Sequence, residues 1–566
     1  MKSLLSIIVM TCLFMLLTSD TDPQPFREYL VPMRDGVRLQ TRVWLPEGAA
    51  PGIQYPTVLT RGYRAGHSGD AVAFTSAGYV YVGQAARGHP PSEGELNRFF
   101  HDAEDGYDTL SWLSHQDWSD GAIAMYGRSY WGATQWLVAP EQHPNLRAII
   151  PQAINADLWQ CVYRCYGALT LAMTAAGRAY TDPEQGRRYG WEALYRYLPL
   201  IDLDLEVSGR RDRLWRDYVS HATFDDYWKK ISLKGKYDRV RIPVYLMSGW
   251  YDYYAGAVFD NYLALQESGH DADLRLVINP SDHLNRLVGD REFGTSAEKN
   301  ELSLAIRWLD HVVKGIENGV ETEPPIRIFT MGSNEWQFAN EWPLAGTRFT
   351  PFYFHSPDGA RIGTLETSPP QDGKPTVYLY DPENPVPTLG GNHSFLGGKH
   401  DASLRAGSVD QRPNEGRPDV LVYTSPPVEQ PLEVTGPITI VLYAASSARD
   451  TDFTAKLIDV HPDGTAFNLT EGIIRARFRH SIWEAPKLLT PGDIQRYELR
   501  LQPTSNVFQP GHRIQVHLSS SNFPLWDRNP NTGNPQGQDA ELMVARQTIY
   551  HDNQHPSHIV LPLITH

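Results

Sequence analysis

The stretch Ala122-Ile123-Ala124-Met125-Tyr126-Gly127-Arg128-Ser129-Tyr130-Trp131-Gly132 limits what this chain can fold into more than any other. It runs from an apolar, strand-like segment through Gly-x-Ser-x-x-Gly into a helical pattern that continues from Tyr130 to Ala139 and stops at Pro140. A serine at the top of a sharp strand-to-helix turn needs small neighbours so that the backbone can bend and expose Oγ, and Gly127 and Gly132 meet that need. A helix beginning at Tyr130 also aims its first NH groups at negative charge forming on an acyl carbon held by Ser129. Trp131 stands where the last glycine of such turns usually falls, so that glycine comes one residue late. Alone the motif is weak, because a plain Gly/Ser turn explains it equally well. The assignment therefore rests on partners for Ser129.

The surrounding pattern is β/α alternation. Tyr29 to Pro32 and Val37 to Leu45 alternate as antiparallel strands. Tyr55 to Thr60 and Gly78 to Gly83 are short buried strands with a small helix around Ala71 to Ala77 between them, and Asp102 to His115 places Tyr107, Leu110, Trp112 and Leu113 near helical spacing. Leu146 to Pro151, Val240 to Gly249 and Leu274 to Asn279 continue the strand series. From about Asn155 to Tyr237 aromatic and charged residues recur at helical spacing with no convincing strand, as in a helical insertion that caps one face. A helix then carries Leu302, Ile306, Leu309 and Val313, ending near Gly315 and Gly319. Beyond Pro324-Pro325 short alternating strands with Gly, Pro, Asn and Asp turns dominate, among them Ile326 to Thr330, Ile438 to Tyr443, Phe453 to Val460 and Ile514 to Leu518, which predicts a jelly-roll β-sandwich.

A serine nucleophile needs a histidine to take its proton and an acid to orient that histidine. In doubly wound hydrolases these follow the serine as acid, then histidine, each on a loop after a strand. Asp252 follows the strand ending at Met247 and Ser248-Gly249, and His283 follows the strand ending at Ile278, giving the order Ser129, Asp252, His283. Taken alone, Asp252 reads better as a loop-capping carboxylate and His283 as a surface loop histidine; together, after the elbow, they read as a triad. Asp282 is the alternative acid, although adjacency to His283 makes the geometry poor.

With those residues in place the chain resembles the cocaine-esterase and bacterial X-prolyl dipeptidyl-peptidase family of α/β-hydrolases, which also holds glutaryl-cephalosporin acylases and α-amino-acid ester hydrolases. The shared motifs are Gly127-Arg128-Ser129-Tyr130-Trp131-Gly132, Gly249-Trp250-Tyr251-Asp252, Trp112-Leu113 with Gln116 and Trp118, Met331-Gly332 with Trp336, Tyr380-Asp381-Pro382, Asp450-Thr451-Asp452-Phe453 with Lys456-Leu457, and Ser519-Ser520-Ser521-Asn522-Phe523-Pro524. The resemblance implies an α/β-hydrolase core with a helical cap insertion and a C-terminal all-β jelly roll. In this chain those would fall at 21–154 and 239–322 for the core, 155–238 for the cap and 323–566 for the jelly roll. It also implies an oxyanion hole formed by the Tyr130 amide and the hydroxyl of Tyr63. Where the family commonly has Asp-x-Arg-Gly this chain has Ala85-Ala86-Arg87-Gly88, which would leave a supporting contact missing. α-Amino-acid ester hydrolases carry extra acids just after the triad aspartate to bind a substrate ammonium; here Tyr253, Tyr254 and Ala255 follow Asp252, which argues against recognition of a free amino group. Trp131, Trp159, Tyr163, Tyr254 and Phe395 are candidate pocket walls, although ordinary core or surface packing is the stronger reading for each.

The expected activity is that of a serine hydrolase acting on a small acyl ester or amide, without metal or organic cofactor. Dipeptide release from X-Pro peptides and glutaryl-type acylase activity are the alternatives, and a surface-binding protein with a vestigial hydrolase domain is the alternative of another class. A net charge of −15 without any long basic run argues against a nucleic-acid partner. Residues 1–20, with Lys2 ahead of an apolar stretch to Leu17, read as a signal peptide, since the stretch is shorter than the ~20 residues that span a bilayer. The mature protein is then expected to be secreted or periplasmic, with no stable membrane span and with homo-oligomer formation left open. Cys161 and Cys165, spaced i, i+4 on an expected helix, are read as free thiols.

Overall fold

The computed structural model describes residues 25–160, 162–179, 191–297, 300–393 and 404–565. The signal-peptide assignment, Cys161 and Phe395 lie outside the described residues.

Ten strands form the first sheet: β1 (Arg27–Pro32), β2 (Arg38–Trp44), β3 (Tyr55–Gly62), β4 (Val80–Ala85), β5 (Ser119–Arg128), β6 (Leu146–Gln152), β7 (Val244–Tyr251), β8 (Leu274–Asp282), β9 (Ile326–Thr330) and β10 (Glu335–Ala339). Their spatial order is β1-β2-β4-β3-β5-β6-β7-β8-β9-β10. Pairing is parallel from β4 through β9 and antiparallel at both margins.

Alternation along β5 shows why this sheet carries helices on both faces. Ile123 and Met125 join a core with Leu110, Ala133, Trp136, Val258 and Leu265, from helices Asp102–Ser114, Tyr130–Val138 and Ala255–Glu267. Ala124 and Tyr126 point the other way, towards Phe74, Ala305, Trp308 and Leu309 of helices Ser68–Ser76 and Glu301–Val312. Both faces are thus dry, and each fully buried large side chain contributes about 1.5–3 kcal/mol. The parallel strands therefore read as continuous apolar runs.

Residues 155–238 hold short helices, Leu171–Ala179, Trp191–Arg196, Leu203–Ser208, Arg213–Ser220 and Asp226–Lys229. They also hold a two-stranded pair, Arg164–Cys165 with Ala168–Leu169, which the sequence pattern did not announce. Cys165 therefore lies on a strand, not a helix, and is buried.

Eleven strands between Thr347 and Ile564 form the second sheet, with Leu432–Ser446 and Gln495–Phe508 as its longest pair. Ile326–Thr330, expected in this half, belongs instead to the first sheet as β9. Its partner decides it: Leu276, Val277 and Ile278 of β8 run parallel to Ile326, Arg327 and Ile328. The first sheet thus extends past residue 323 to Ala339. The β half is tied to it where the Met331 amide donates to the Ser505 carbonyl at 3.0 Å and the Val507 amide to the Met331 carbonyl at 2.8 Å. No described helix is long and apolar enough to cross a membrane.

Candidate active site

At the end of β5, Ser129 has φ 61° and ψ −122°, a conformation that costs an L-residue energy and that a sharp strand-to-helix turn imposes. Gly127 makes the turn possible: its φ is +150°, and a Cβ there would lie 2.5 Å from Trp131 Cβ. A Cβ on Gly132 would lie 2.8 Å from Ile154 Cγ2 and 3.1 Å from the Gly127 carbonyl. The glycine is therefore needed at 132, while the Trp131 ring turns out over Gly62, whose own Cβ would meet it at 2.8 Å. This packing explains the displaced glycine. The Ser129 amide donates to the Gln152 carbonyl at 2.8 Å, which fixes the turn against β6 and leaves the side chain half-buried.

The acid and the histidine are brought together by strand register. Asn279 of β8 pairs with Gly249 of β7, but Asp282 pairs with Tyr251, so β8 carries one extra residue between these pairs. That bulge presses Ser281 against Gly249, where a Cβ would lie 2.2 Å from the Ser281 carbonyl oxygen. The next residues along each strand, Asp252 and His283, emerge side by side. His283 Nδ1 lies 3.1 Å from Asp252 Oδ1, which also accepts from the Tyr254 amide at 3.1 Å, while Oδ2 accepts from Ser248 Oγ at 3.1 Å. Asp252 is wholly buried. Burial alone would raise its pKa, but the charge and hydrogen bond of His283, the Arg128 charge and the Tyr254 amide outweigh it, so the carboxyl is held below the ordinary value. Nδ1 is thereby assigned as the donor to Asp252. Arg128 links serine and histidine loops, donating to the His283 carbonyl at 3.1 Å and pairing with Glu301. Asp282, the alternative acid, is occupied elsewhere: its carboxylate takes Arg286 Nε at 3.1 Å and caps the amides of Leu284 and Arg286.

Tyr63 follows β3 and places its ring 4.9 Å from that of Tyr130 and 5.0 Å from that of Trp131. Tyr130 uses its own hydroxyl to donate to Asp102 at 2.9 Å, so its contribution at the elbow is the backbone amide that opens the helix. Arg87 pairs with Asp105 at 2.6 Å and Asp35 at 2.7 Å.

Of the expected pocket residues, Trp131 is half-buried and lies between Tyr63 and His67. Tyr254 meets the His283 ring edge-on at 5.5 Å. Tyr163 is stacked on Tyr218 at 4.0 Å, and Trp159 is wholly buried between Phe224 and Trp483. Trp159 is thus a packing residue joining residues 155–238 to the β half. An open cleft of about 660 Å³ lies behind Arg128, between Tyr126, Gln152, Asn285 and Glu301, and contains none of Ser129, Asp252 and His283.

Two neighbours carried no sequence signal. Asn392, from the β half, donates through Nδ2 to the Asp252 carbonyl at 3.2 Å and to that of Trp250. Arg98 holds its guanidinium 4.8 Å from the centre of the Tyr63 ring. Away from the elbow, ligand atoms of Asp459, His461 and His512 lie within 4.8 Å of one another. There Asp459 already accepts from His512 Nδ1 at 2.8 Å and faces Arg291 at 3.5 Å.

Comparison with known proteins places the chain in a family. The family described as X-Pro dipeptidyl-peptidase (S15 family) matches residues 35–285, and its C-terminal non-catalytic domain matches residues 318–560. Cocaine esterase of Rhodococcus sp. is 37% identical over 94% of this chain and 98% of its own length. The chain belongs to this S15 and cocaine-esterase family. A putative serine esterase of Mycobacterium bovis is 26% identical over 94% of each chain. The solved structure of an α-amino acid ester hydrolase superposes with a TM-score of 0.80 at 25% identity, covering 99% of this chain and all of its own. As a member of the family the protein is a serine hydrolase, an α/β-hydrolase core joined to a mostly β C-terminal domain.

Proposed function

We propose that Ser129, His283 and Asp252 form the catalytic triad and that the protein hydrolyses a small acyl ester through an acyl-enzyme. The reading rests on one observation above others: the bulged register of β7 and β8 that sets His283 Nδ1 against the buried Asp252 at the same sheet end as the strained Ser129. His283 Nε2 takes the Ser129 proton as Oγ attacks the acyl carbon, and the Tyr130 amide with the Tyr63 hydroxyl binds the oxyanion. His283 then protonates the leaving oxygen. Water then gives a proton to the same nitrogen as its oxygen attacks the acyl carbon, and the imidazolium returns that proton to Ser129 Oγ as the acid leaves. Asp252 stabilises each imidazolium.

An ester is favoured over an N-terminal dipeptide because the positions after Asp252 are Tyr253, Tyr254 and Ala255, none of which carries a carboxylate to pair with an ammonium. Residues 155–238 serve as the cap of the site, and the eleven-stranded half is a jelly roll that buttresses the Asp252 loop through Asn392. The mature protein acts outside the cytoplasm, on the strength of Lys2 and the apolar stretch to Leu17; fractionation of tagged protein tests this.

Ser129→Ala should lower kcat by about 10⁴- to 10⁶-fold with the fold intact. Turnover of aryl esters against glycyl-prolyl anilides tests substrate class, and a clear preference for the anilide would reverse the assignment.

A further inference from the structure

Arg98 is a cation without a counter-ion at the edge of the oxyanion site. Its guanidinium rides on the Tyr63 ring, its Nε is buried with no hydrogen-bond partner, and among the described residues no carboxylate pairs with it. The acids nearest in sequence are committed elsewhere. Glu95 points out to Arg213 at 3.1 Å, and Asp102 takes the Tyr130 hydroxyl at 2.9 Å and the Phe99 amide at 3.1 Å and lies 3.6 Å from Arg61. Arg98 is surrounded by aromatic side chains: Tyr63 and Tyr130 from the core, Tyr163 and Tyr218 from residues 155–238. His89, edge-on to Tyr63 at 5.5 Å, is pushed down to about 4 by burial and then by the Arg98 charge, so it stays neutral and adds no second cation. A guanidinium Nε buried without a partner beside a reacting centre is costly unless something fills the site.

We propose that Arg98 binds a carboxylate of the substrate, so that the ester taken by this hydrolase carries one negative charge besides its scissile group. The proposal rests on the assignment of Ser129 as nucleophile. The planar fork of a guanidinium matches a carboxylate with two parallel hydrogen bonds, and one cation in an aromatic setting balances one negative charge. The same charge repels an α-ammonium, in keeping with the absence of acids after Asp252.

Two ester pairs separate charge from shape. Methyl hydrogen glutarate against methyl pentanoate puts the carboxylate on the acyl side, and para-acetoxybenzoate against its methyl ester puts it on the leaving group. The wild-type protein should favour the anionic member of at least one pair in kcat/KM. Arg98→Gln should lower that anionic-to-neutral ratio by about tenfold or more, the scale of one hydrogen bond to a charged group, and Arg98→Lys should recover part of it. A ratio unchanged in Arg98→Gln overturns the proposal; both rates falling together would mean that the guanidinium only strengthens Tyr63 as a donor. Calorimetry with glutarate on Ser129→Ala and on Ser129→Ala/Arg98→Gln makes the comparison without turnover. Binding lost with Arg98 supports the anion site even where Ser129 proves not to be the nucleophile, and equal binding refutes it.

Discussion

Replacing Asp252 by Asn keeps the shape of the acid and removes its charge, and the surrounding donors decide how the new carboxamide sits. Oδ1 holds two donors, the Tyr254 amide and His283 Nδ1, each at 3.1 Å, whereas Oδ2 holds one hydroxyl, Ser248 Oγ, also at 3.1 Å. A carboxamide fits this cradle in one orientation, with its oxygen at the Oδ1 position and its NH₂ towards Ser248, whose hydroxyl can turn to accept. The reverse orientation sets NH₂ against the Tyr254 amide. The imidazole therefore keeps its tautomer in Asp252→Asn and loses only the charge behind it. A wrong tautomer costs about 10⁴ in kcat; a charge-assisted hydrogen bond is worth about 1.5–3 kcal/mol, or about 10- to 150-fold. The expected loss is the smaller one. The assay is kcat/KM on a chromogenic aryl ester, normalised to folded protein by thermal melting. A loss near 10⁴ would show that the amide donates to His283 and that Tyr254 does not hold it. A loss under about threefold would show that Asp252 does not serve His283 at all.

Tyr63→Phe should cost about 3 kcal/mol of barrier, roughly 10² in kcat, with KM and melting temperature little changed; unchanged kcat would assign the oxyanion to another donor. Asn392→Ala releases the Asp252 loop from the β half and should lower kcat by about tenfold, with Asn392→Asp no better because it lacks the NH₂ that reaches the Trp250 and Asp252 carbonyls. The depressed pKa of Asp252 means that its contribution to stability is complete above the ordinary value of 3.8 and is lost as pH falls through its lower folded value. The difference in melting temperature between wild type and Asp252→Asn should therefore be constant from neutral pH down to about 5 and shrink only below about 4.

The elbow was legible in sequence because its requirement is local: at Gly127 and Gly132 a Cβ has nowhere to go. Asp252 and His283 were legible for a related reason, since each ends an apolar run that only a doubly buried strand explains. The extra residue in β8 that makes them neighbours was not, because a bulge is a property of two strands and neither alone records it. The half of the chain to which β9 belongs was not legible either, because Ile326, Ile328 and Thr330 alternate in the same way whichever sheet receives them. Arg98 and Asn392 sit in loops without a motif, and only the packing of Tyr63 and of the Asp252 loop gives them a role.

The proposed chemistry turns on one hydroxyl. Incubating the folded protein with a fluorophosphonate and mapping the adduct by mass spectrometry should give a single modification, on Ser129, formed in step with loss of esterase activity. An active preparation that takes up no label, or that is inactivated by an adduct on another residue while Ser129 stays unmodified, would contradict it.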